Sequence, residues 1–144
     1  MIGVLIVSHG LLAAELLKTA EKIVGPQEQV KVLSTSGRKQ RHQLRDEVKT
    51  LIDSLDTGEG VLVMTDCPGG TPANISLDAA RGERNVRVLC GINLPMLLTL
   101  VERLQGKTID EIAASALSAG KATVCDLTDM MKARASESKD SKPQ

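Results

Sequence analysis

His9 is one of two histidines in the chain, and it comes directly after the apolar run VLIVS of residues 4–8. A neutral imidazole is a good nucleophile toward phosphorus near pH 7, and a carboxylate that accepts its other ring N–H fixes the tautomer and stabilises the imidazolium form. Asp66 follows a second apolar run, VLVMT of residues 61–65. We therefore predict that His9 is a catalytic nucleophile and that Asp66 orients it. A strand-end histidine held by ordinary hydrogen bonds is the structural alternative.

A glycine-rich loop occupies the stretch TDCPGGTPANIS, residues 65–76. Its paired glycines let the backbone approach a ligand closely. Thr71 is predicted as the N-cap and Pro72 as the first residue of a helix, whose free N–H groups bind anions. Alone, the pattern is equally typical of a plain turn before a helix, and the chain has neither a Walker motif nor G-x-G-x-x-G. Together with His9, it predicts that the Thr71 hydroxyl and the amides of Gly70 and Thr71 hold phosphoryl oxygens.

Strand and helix patterns alternate along the chain, which predicts an α/β three-layer sandwich with a mostly parallel central sheet and helices on both faces. Strands are expected at residues 2–7, 30–33, 61–65 and 86–90, and helices at 12–24, 44–55, 73–80, 95–104 and 108–117. Residues 122–127 fit either a fifth, antiparallel strand or a helical end. We expect the strand order 2-1-3-4, which makes the first and third strands neighbours and places a ligand crevice between their carboxyl ends.

Composition excludes several classes of partner. The 144 residues are 42% hydrophobic and 25% charged, which is the balance of an ordinary globular protein. Eighteen basic residues balance 18 acidic ones, and Phe, Trp and Tyr are absent, so nucleic-acid binding is not expected. No apolar run is long enough to span a bilayer, and the N-terminus lacks the features of a secretory signal. We expect a cytoplasmic protein with one domain over residues 1–134 and a disordered polar tail over 135–144.

The three cysteines, Cys67, Cys90 and Cys125, are far apart and odd in number. We therefore expect free thiols in a reducing compartment rather than a disulfide framework or a zinc site. Cys90 and Cys125 lie in apolar runs and are predicted as small core residues. Cys67 lies in the glycine-rich loop, where a filler or spacer is a simpler interpretation than a nucleophile. The sequence predicts no metal and no cofactor.

Three stretches together resemble the IIA component of the mannose-type sugar phosphotransferase system: GVLIVSHGLLAAELLKTAEKIVG, GVLVMTDCPGGTPANIS and CGINLPMLL. The shared motifs are S-H-G after the first strand, D-x-x-G-G-T-P after the third and G-[IV]-N-[LI]-P-M after the fourth. The resemblance covers residue 1 to about residue 127. It implies a bacterial phosphocarrier in which His9 is phosphorylated, Asp66 is its partner carboxylate and Thr71 offers its hydroxyl to the phosphate.

The resemblance also implies partners. In the family's scheme His9 accepts a phosphoryl group from phospho-HPr and passes it to a IIB component, for sugar uptake or its regulation. No IIB sequence follows in the 144 residues, so we expect a separate IIB chain. The family further implies a homodimer, in some members with the last strand crossing to the partner. Cys67 and Pro68 depart from the bulkier apolar residues usual at these positions, and Pro68 removes one N–H donor from the loop.

Other functions remain open at this point. The phosphotransfer subunit of a dihydroxyacetone kinase resembles this family in fold and in its opening S-H motif, although Gly10 and the G-I-N-L-P-M stretch favour the sugar system. A small tetrapyrrole metal chelatase also opens with a strand and H-G, but it needs further His or Glu ligands in the crevice, and His42 is poorly placed for that role. An anion-sensing module would bind phosphate without a covalent adduct.

Two surface features are candidates for partner contacts. His42 lies in a basic segment, residues 38–45, which fits either a solvated surface or a docking patch for an acidic partner. Leu11 and Leu12 adjoin the predicted nucleophile, and both are candidates for an apolar contact with the carrier proteins. Core packing is an equal alternative for Leu12.

Overall fold

The sheet brings the ends of two predicted strands side by side. A computed structural model describes residues 1–140, and in it four parallel strands lie in the order β2-β1-β3-β4. The strands are β1 (Gly3–Ser8), β2 (Val30–Ser34), β3 (Val61–Thr65) and β4 (Val86–Cys90). Because β1 pairs with β2 on one side and with β3 on the other, the order of strand addition reverses between β1 and β3. This confirms the predicted order and places the crevice of such sheets between these two strands.

Helices cover both faces of the sheet. They are α1 (Leu12–Val24), α2 (Arg41–Leu55), α3 (Thr71–Ala80), α4 (Leu94–Leu98), α5 (Ile109–Thr123) and α6 (Leu127–Asp140), with a 3-10 helix at Thr99–Gln105. Along β1, Val4 and Ile6 belong to one apolar core, which includes α1, α4 and α5, whereas Leu5 and Val7 belong to a second core with α2 and α3. The predicted three-layer α/β sandwich is therefore confirmed. No helix among the described residues combines the length and apolar character needed to cross a membrane.

Both cores pack closely without aromatic side chains. A Cβ added at Gly3 would lie 2.6 Å from the carbonyl oxygen of Leu55, and one added at Gly120 would lie 2.7 Å from Cγ of Met96. Glycine at these two positions therefore lets α2 approach β1 and lets α5 approach α4. Small residues at such contacts compensate for the missing bulk of Phe, Trp and Tyr.

The segment of residues 122–127 forms no fifth strand. Instead α5 continues through Thr123, and α6 begins after a short connection. The carboxylate of Asp126 explains the difference, because it accepts hydrogen bonds from the backbone N–H groups of Thr128 at 2.9 Å and Asp129 at 3.2 Å. An Asp in this position starts a helix, and it overrides the short apolar run that was compatible with a strand.

Residues 135–140, predicted as part of a disordered tail, belong to α6 in the structure. The described side chains of α6 are exposed, so the segment buries no core, as its composition indicated. The helix as a whole nevertheless contains Leu, Met, Ala, Lys, Arg and Glu, which have high helix propensity. Polar composition therefore excluded a buried face but not a helix. Residues 141–144, the rest of the predicted tail, lie outside the described residues.

One buried charge was not predicted from the sequence. Arg103, in the 3-10 helix, is 7% exposed. Its guanidinium donates hydrogen bonds to the carbonyl oxygens of Ile2 at 2.8 Å, Glu28 at 2.9 Å and Leu100 at 3.1 Å. Burial lowers the pKa of Arg103, while the three carbonyl groups replace its hydrogen bonds to water. Arg103 thereby ties together three chain segments at the amino end of β1.

Candidate active site

His9 and Asp66 meet at the carboxyl ends of β1 and β3. The register of the two strands pairs Val7 with Thr65, so the residues that follow lie at the same edge of the sheet. Oδ2 of Asp66 accepts the backbone N–H of His9 at 3.0 Å and lies 2.7 Å from Nδ1 of the same residue. Oδ1 accepts the backbone N–H of Cys67 at 3.0 Å. The structure thus holds the imidazole ring by its Nδ1 atom.

The electrostatics of this pair determine which ring nitrogen can react. Burial favours the neutral form of Asp66 and would raise its pKa, but hydrogen bonds from the backbone and ring of His9 and from the Cys67 N–H outweigh burial. The pKa of Asp66 is therefore lowered from its ordinary value of 3.8. An ionised carboxylate only accepts hydrogen bonds, so Nδ1 of a neutral His9 carries the proton and Nε2 carries the lone pair. The His9 side chain is 54% exposed and that of Asp66 only 10%, which leaves the ring open to a reaction partner.

The glycine-rich loop lies against the free edge of the imidazole. A Cβ added at Gly70 would come within 3.1 Å of Cε1 and 3.7 Å of Nε2 of His9. The φ of Gly70 is −84°, a value that any residue adopts, so glycine is needed here for close approach rather than for its conformation. The first N–H groups of α3 have no acceptor within the helix. The helix start is therefore suited to an anion bound at Nε2.

Thr71 occupies a different helix position from the one predicted. The sequence predicted Thr71 as the N-cap, whereas in the structure Gly70 is the N-cap and Thr71 is the first residue of α3. Pro72 remains in the first turn, where its missing N–H costs nothing. Thr71 is exposed, and its hydroxyl is not needed as a helix cap.

Two serines that were not predicted fix the backbone around His9. Ser8 is fully buried, and its Oγ accepts the N–H of Ala13 in α1 at 2.9 Å and donates to the carbonyl of His9 at 3.1 Å. Oγ of Ser36 accepts the N–H of Gly10 at 2.7 Å, where Gly10 has the left-handed φ of +52°. The S-H-G motif contained the only sequence signal for Ser8. Ser36 lies in a loop after β2, where no pattern distinguishes it.

The site also contains a group of metal-ligating atoms. His9, Asp66 and Cys67 each place one such atom so that all three lie within 4.8 Å of one another. Among the side chains that the structure describes, those of residues 1–138, no other group of three or more His, Cys, Asp or Glu meets in this way. His42, at the start of α2, is not part of it. The further ligands that a metal chelatase needs are therefore missing from the described crevice.

The cysteines are free thiols, but their burial differs in part from the prediction. Cys90 is half-buried, whereas Cys125, predicted as a core residue, is exposed. Cys125 lies in the connection between α5 and α6, which extends beyond both cores. Cys67 is exposed beside Asp66, so it does not act as a core filler.

The basic segment of residues 38–45 is largely neutralised by neighbouring carboxylates. Three of its cations form ion pairs: Lys39 with Glu47, Arg41 with Asp78, and Arg45 with Asp46. Each of these side chains is at least one-third exposed, so each pair contributes little to stability. The arrangement favours a solvated surface over a docking patch.

Two exposed leucines adjoin His9. Leu11 is 72% exposed and Leu12 is 46% exposed. Core packing, the alternative for Leu12, is therefore not what the structure shows. Both exposed apolar side chains lie within three residues of His9 along the chain.

Known proteins resemble this chain in sequence. A family model described as the PTS system fructose IIA component matches residues 3–117. The PTS system mannose-specific EIIAB component of Escherichia coli (strain K12) is 34% identical over 121 residues, which cover 83% of this chain. The protein of the same name from Shigella flexneri gives the same identity and coverage. The chain spans only 38% of the length of these curated relatives.

Solved structures resemble the fold. The phosphotransferase system component EIIA from Streptococcus agalactiae has a TM-score of 0.80 at 26% identity, with 90% of this chain and 99% of that chain covered. The PTS IIA protein associated with the fucose utilization operon of Streptococcus pneumoniae has a TM-score of 0.77 at 28% identity, with 90% and 95% covered. The mannose/sorbose-specific IIA subunit from Enterococcus faecalis has a TM-score of 0.75 at 25% identity, with 87% and 93% covered.

Proposed function

This chain belongs to the family of mannose-type PTS IIA components, and from that membership we propose that it is a histidine phosphocarrier. The observation that carries the proposal is the 2.7 Å contact between Nδ1 of His9 and Oδ2 of Asp66. It leaves Nε2 of His9 as the phosphoryl acceptor. His9 and Asp66 are thus the proposed catalytic residues of a phosphotransferase with a covalent phosphohistidine intermediate.

In the proposed reaction the lone pair of Nε2 attacks phosphorus. The P–N bond forms while the bond between phosphorus and the donor breaks, and the ring becomes positively charged. The ionised carboxylate of Asp66, 2.7 Å from Nδ1, stabilises that charge. Transfer to the next carrier reverses these steps, with Nε2 as the leaving group. Neither an electron nor a carbon group is transferred in these steps, so the proposed reaction uses no redox or carbon-group carrier.

We assign the phosphoryl oxygens to the start of α3. The backbone of Gly70 lies against the edge of the ring that carries Nε2. The N–H groups of Gly70 and Thr71 would donate to the oxygens, and the partial positive charge of the helix N-terminus would favour them. The exposed hydroxyl of Thr71 would add one more donor. Phosphoryl transfer depends mainly on such positioning and charge stabilisation.

The proposed donor is phospho-HPr, and the proposed acceptor is a IIB component. Both must reach Nε2 from solvent, and the 54% exposure of the His9 side chain supports such access. Leu11 and Leu12 supply an exposed apolar surface next to it, which suits transient contact with a carrier protein. In this scheme the chain serves sugar uptake or its regulation in the cytoplasm, with residues 1–134 as the phosphotransfer domain.

We also propose a homodimer. Val124 is 86% exposed, Leu127 is 68% exposed and Met131 is 72% exposed. Three large apolar side chains so close in sequence suit an interface better than a surface in water. Sedimentation of the chain at micromolar concentration measures its mass, and a monomer throughout would contradict the dimer.

The direct test is to phosphorylate the chain with phosphoenolpyruvate, enzyme I and HPr and to measure its intact mass. We expect one phosphoryl group that is lost in acid and stable in alkali, as a phosphoramidate on histidine is. His9→Ala should accept none, whereas His42→Ala serves as the matched control and should accept one. Phosphorylation of His9→Ala, or none of the unchanged protein, would contradict the proposal.

A second step distinguishes the related functions. The phosphorylated chain is mixed with a purified mannose-type IIB component or with the other subunits of a dihydroxyacetone kinase. Loss of phosphate to IIB supports the sugar system, and loss only to the kinase subunits contradicts it. Phosphate binding without a covalent adduct would instead indicate an anion sensor.

A further inference from the structure

We propose that His9, Asp66 and Cys67 form an inhibitory Zn²⁺ site. Each residue contributes one atom, namely a ring nitrogen, a carboxylate oxygen and Sγ, and these atoms lie within 4.8 Å of one another. The fourth position would hold water, as in zinc sites with three protein ligands. Metal binding is independent of the proposed phosphotransfer, whereas the inhibition rests on it.

The ligand atoms are close enough to bind Zn²⁺ after small side-chain rotations. Zn–N and Zn–O distances of about 2.0–2.2 Å and a Zn–S distance of about 2.3 Å place tetrahedral ligands roughly 3.3–3.6 Å apart. His9 and Cys67 are exposed and belong to neither core, so their side chains can rotate to reach these separations. If Nδ1 is the ligand, the ring must also move away from Asp66, because Nδ1 and Oδ2 are 2.7 Å apart. Asp66 is fixed, because its two oxygens accept the backbone N–H groups of His9 and Cys67. It therefore serves as the anchor of the site.

The donor set favours Zn²⁺ over the abundant hard cations. A thiolate and an imidazole are soft or borderline ligands that suit zinc, whereas Mg²⁺ and Ca²⁺ prefer oxygen ligands. The single carboxylate of Asp66 offers too few oxygens for these ions. The thiol of Cys67 must lose its proton to bind, and a bound dication favours that loss.

Zn²⁺ binding and phosphoryl transfer compete for His9. A metal ion at Nε2 occupies the lone pair that attacks phosphorus. A metal ion at Nδ1 displaces the proton that bonds to Asp66, and the charge stabilisation of the ring is lost. Either mode of ligation blocks transfer, so inhibition follows whichever nitrogen is used.

Binding is tested with Co²⁺ as a spectroscopic probe on the full, reduced and metal-free chain. We expect one Co²⁺ per chain, with the visible bands of a tetrahedral site and a thiolate-to-cobalt charge-transfer band, all displaced by Zn²⁺. Cys67→Ser and Cys67→Ala should lose the charge-transfer band. Cys125→Ser replaces another exposed cysteine and should retain it. A band that persists without Cys67, or no tetrahedral spectrum in the unchanged protein, would overturn the site.

Inhibition is tested with HPr phosphorylated in advance and freed of enzyme I, in the presence of EDTA or of Zn²⁺. For the unchanged protein and Cys125→Ser we expect Zn²⁺ to slow phosphoryl transfer by about tenfold or more. For Cys67→Ser the slowing should be less than about twofold relative to its own rate in EDTA. Equal inhibition of Cys67→Ser and Cys125→Ser by Zn²⁺ would overturn the inhibitory site. Failure to accept phosphate in EDTA despite a normal Co²⁺ spectrum would reject the phosphocarrier function while the metal site stands.

Discussion

Replacing Asp66 by Asn tests the proposed role of the carboxylate, because the change removes the negative charge but keeps the shape. Each carboxylate oxygen accepts a backbone N–H, one from His9 and one from Cys67, and the amide of Asn can replace only one of them. If the amide oxygen takes the place of Oδ2, His9 keeps its tautomer but bonds to a neutral acceptor. If the amide nitrogen takes that place, Nδ1 must accept a hydrogen bond and the proton moves to Nε2.

The expected loss follows from the strength of this one contact. Hydrogen bonds that involve a charged group contribute about 1.5–3 kcal/mol. The contact to Nδ1 is 2.7 Å long and the Asp66 side chain is only 10% exposed, but the His9 side chain is 54% exposed, so solvent screens part of the contact and the loss stays within this range. Loss of that stabilisation in the transition state slows phosphoryl transfer by about 10- to 150-fold. The second arrangement, in which Nε2 is protonated, would slow it further.

The assay is single-turnover transfer from phospho-HPr, followed by rapid quenching and intact mass. Asp53→Asn is the matched control, because Asp53 is exposed on α2 away from the site, and its rate should equal that of the unchanged protein. Circular dichroism verifies that both variants fold. A rate for Asp66→Asn within about twofold of the unchanged rate would refute the role assigned to the carboxylate.

Four further changes test other parts of the structure. Gly70→Ala should slow transfer roughly three- to tenfold without a large loss of stability, because the new Cβ displaces His9 rather than the backbone; a normal rate would contradict this. Leu11→Asp should raise the KM for phospho-HPr, whereas Leu104→Asp, on another exposed leucine, should not. Arg103→Leu should lower the free energy of unfolding by about 2–4 kcal/mol, because buried carbonyl groups lose their hydrogen-bond donor. Arg87→Leu, at an exposed arginine, should lower it by less than about 0.5 kcal/mol. Hydrogen bonds from Lys107 and Ser115 lower the pKa of Glu102 from its ordinary 4.5, so the ionised carboxylate stabilises the fold above that pH and this stabilisation is lost on acidification. Glu102→Gln should therefore weaken the decrease in the free energy of unfolding at acidic pH, measured by urea unfolding.

The meeting of His9 and Asp66 was predictable because it depends only on where two strands end and on the order of the strands in the sheet. The apolar runs identify β1 and β3, and the parallel order 2-1-3-4 makes them neighbours. Once both are known, the residues after each run must lie at the same edge of the sheet. The side-chain contact itself, at 2.7 Å, adds detail to a placement that the strand ends and the strand order already determine.

The polar contacts that support the site were not predictable in this way. Ser36 bonds to Gly10 across 26 residues, and Arg103 bonds to Ile2 across 101. A polar residue in a loop or short helix has no periodic pattern that marks its partner. The ligand group is a similar case: Cys67 follows Asp66 directly, but its distance from His9 depends on the turn that the loop makes. These contacts need coordinates because each depends on the local path of the chain rather than on which face of an element is apolar.

The C-terminal segment shows why local polar groups can outweigh an apolar pattern. Residues 122–127 contain a short apolar run that suits an edge strand, and a strand there would have to pair with β2, β4 or a second chain to satisfy its backbone groups. Asp126 offers a local alternative, because its carboxylate accepts two N–H groups at the start of α6 and needs no distant partner. A helix also satisfies its own backbone, whereas an unpaired strand does not. Within a single chain the helix is therefore favoured over a strand, and it leaves the side chains of Val124, Leu127 and Met131 exposed. If these side chains become buried in the proposed dimer, Leu127→Asp should shift sedimentation toward the monomer while phosphorylation of His9 is retained.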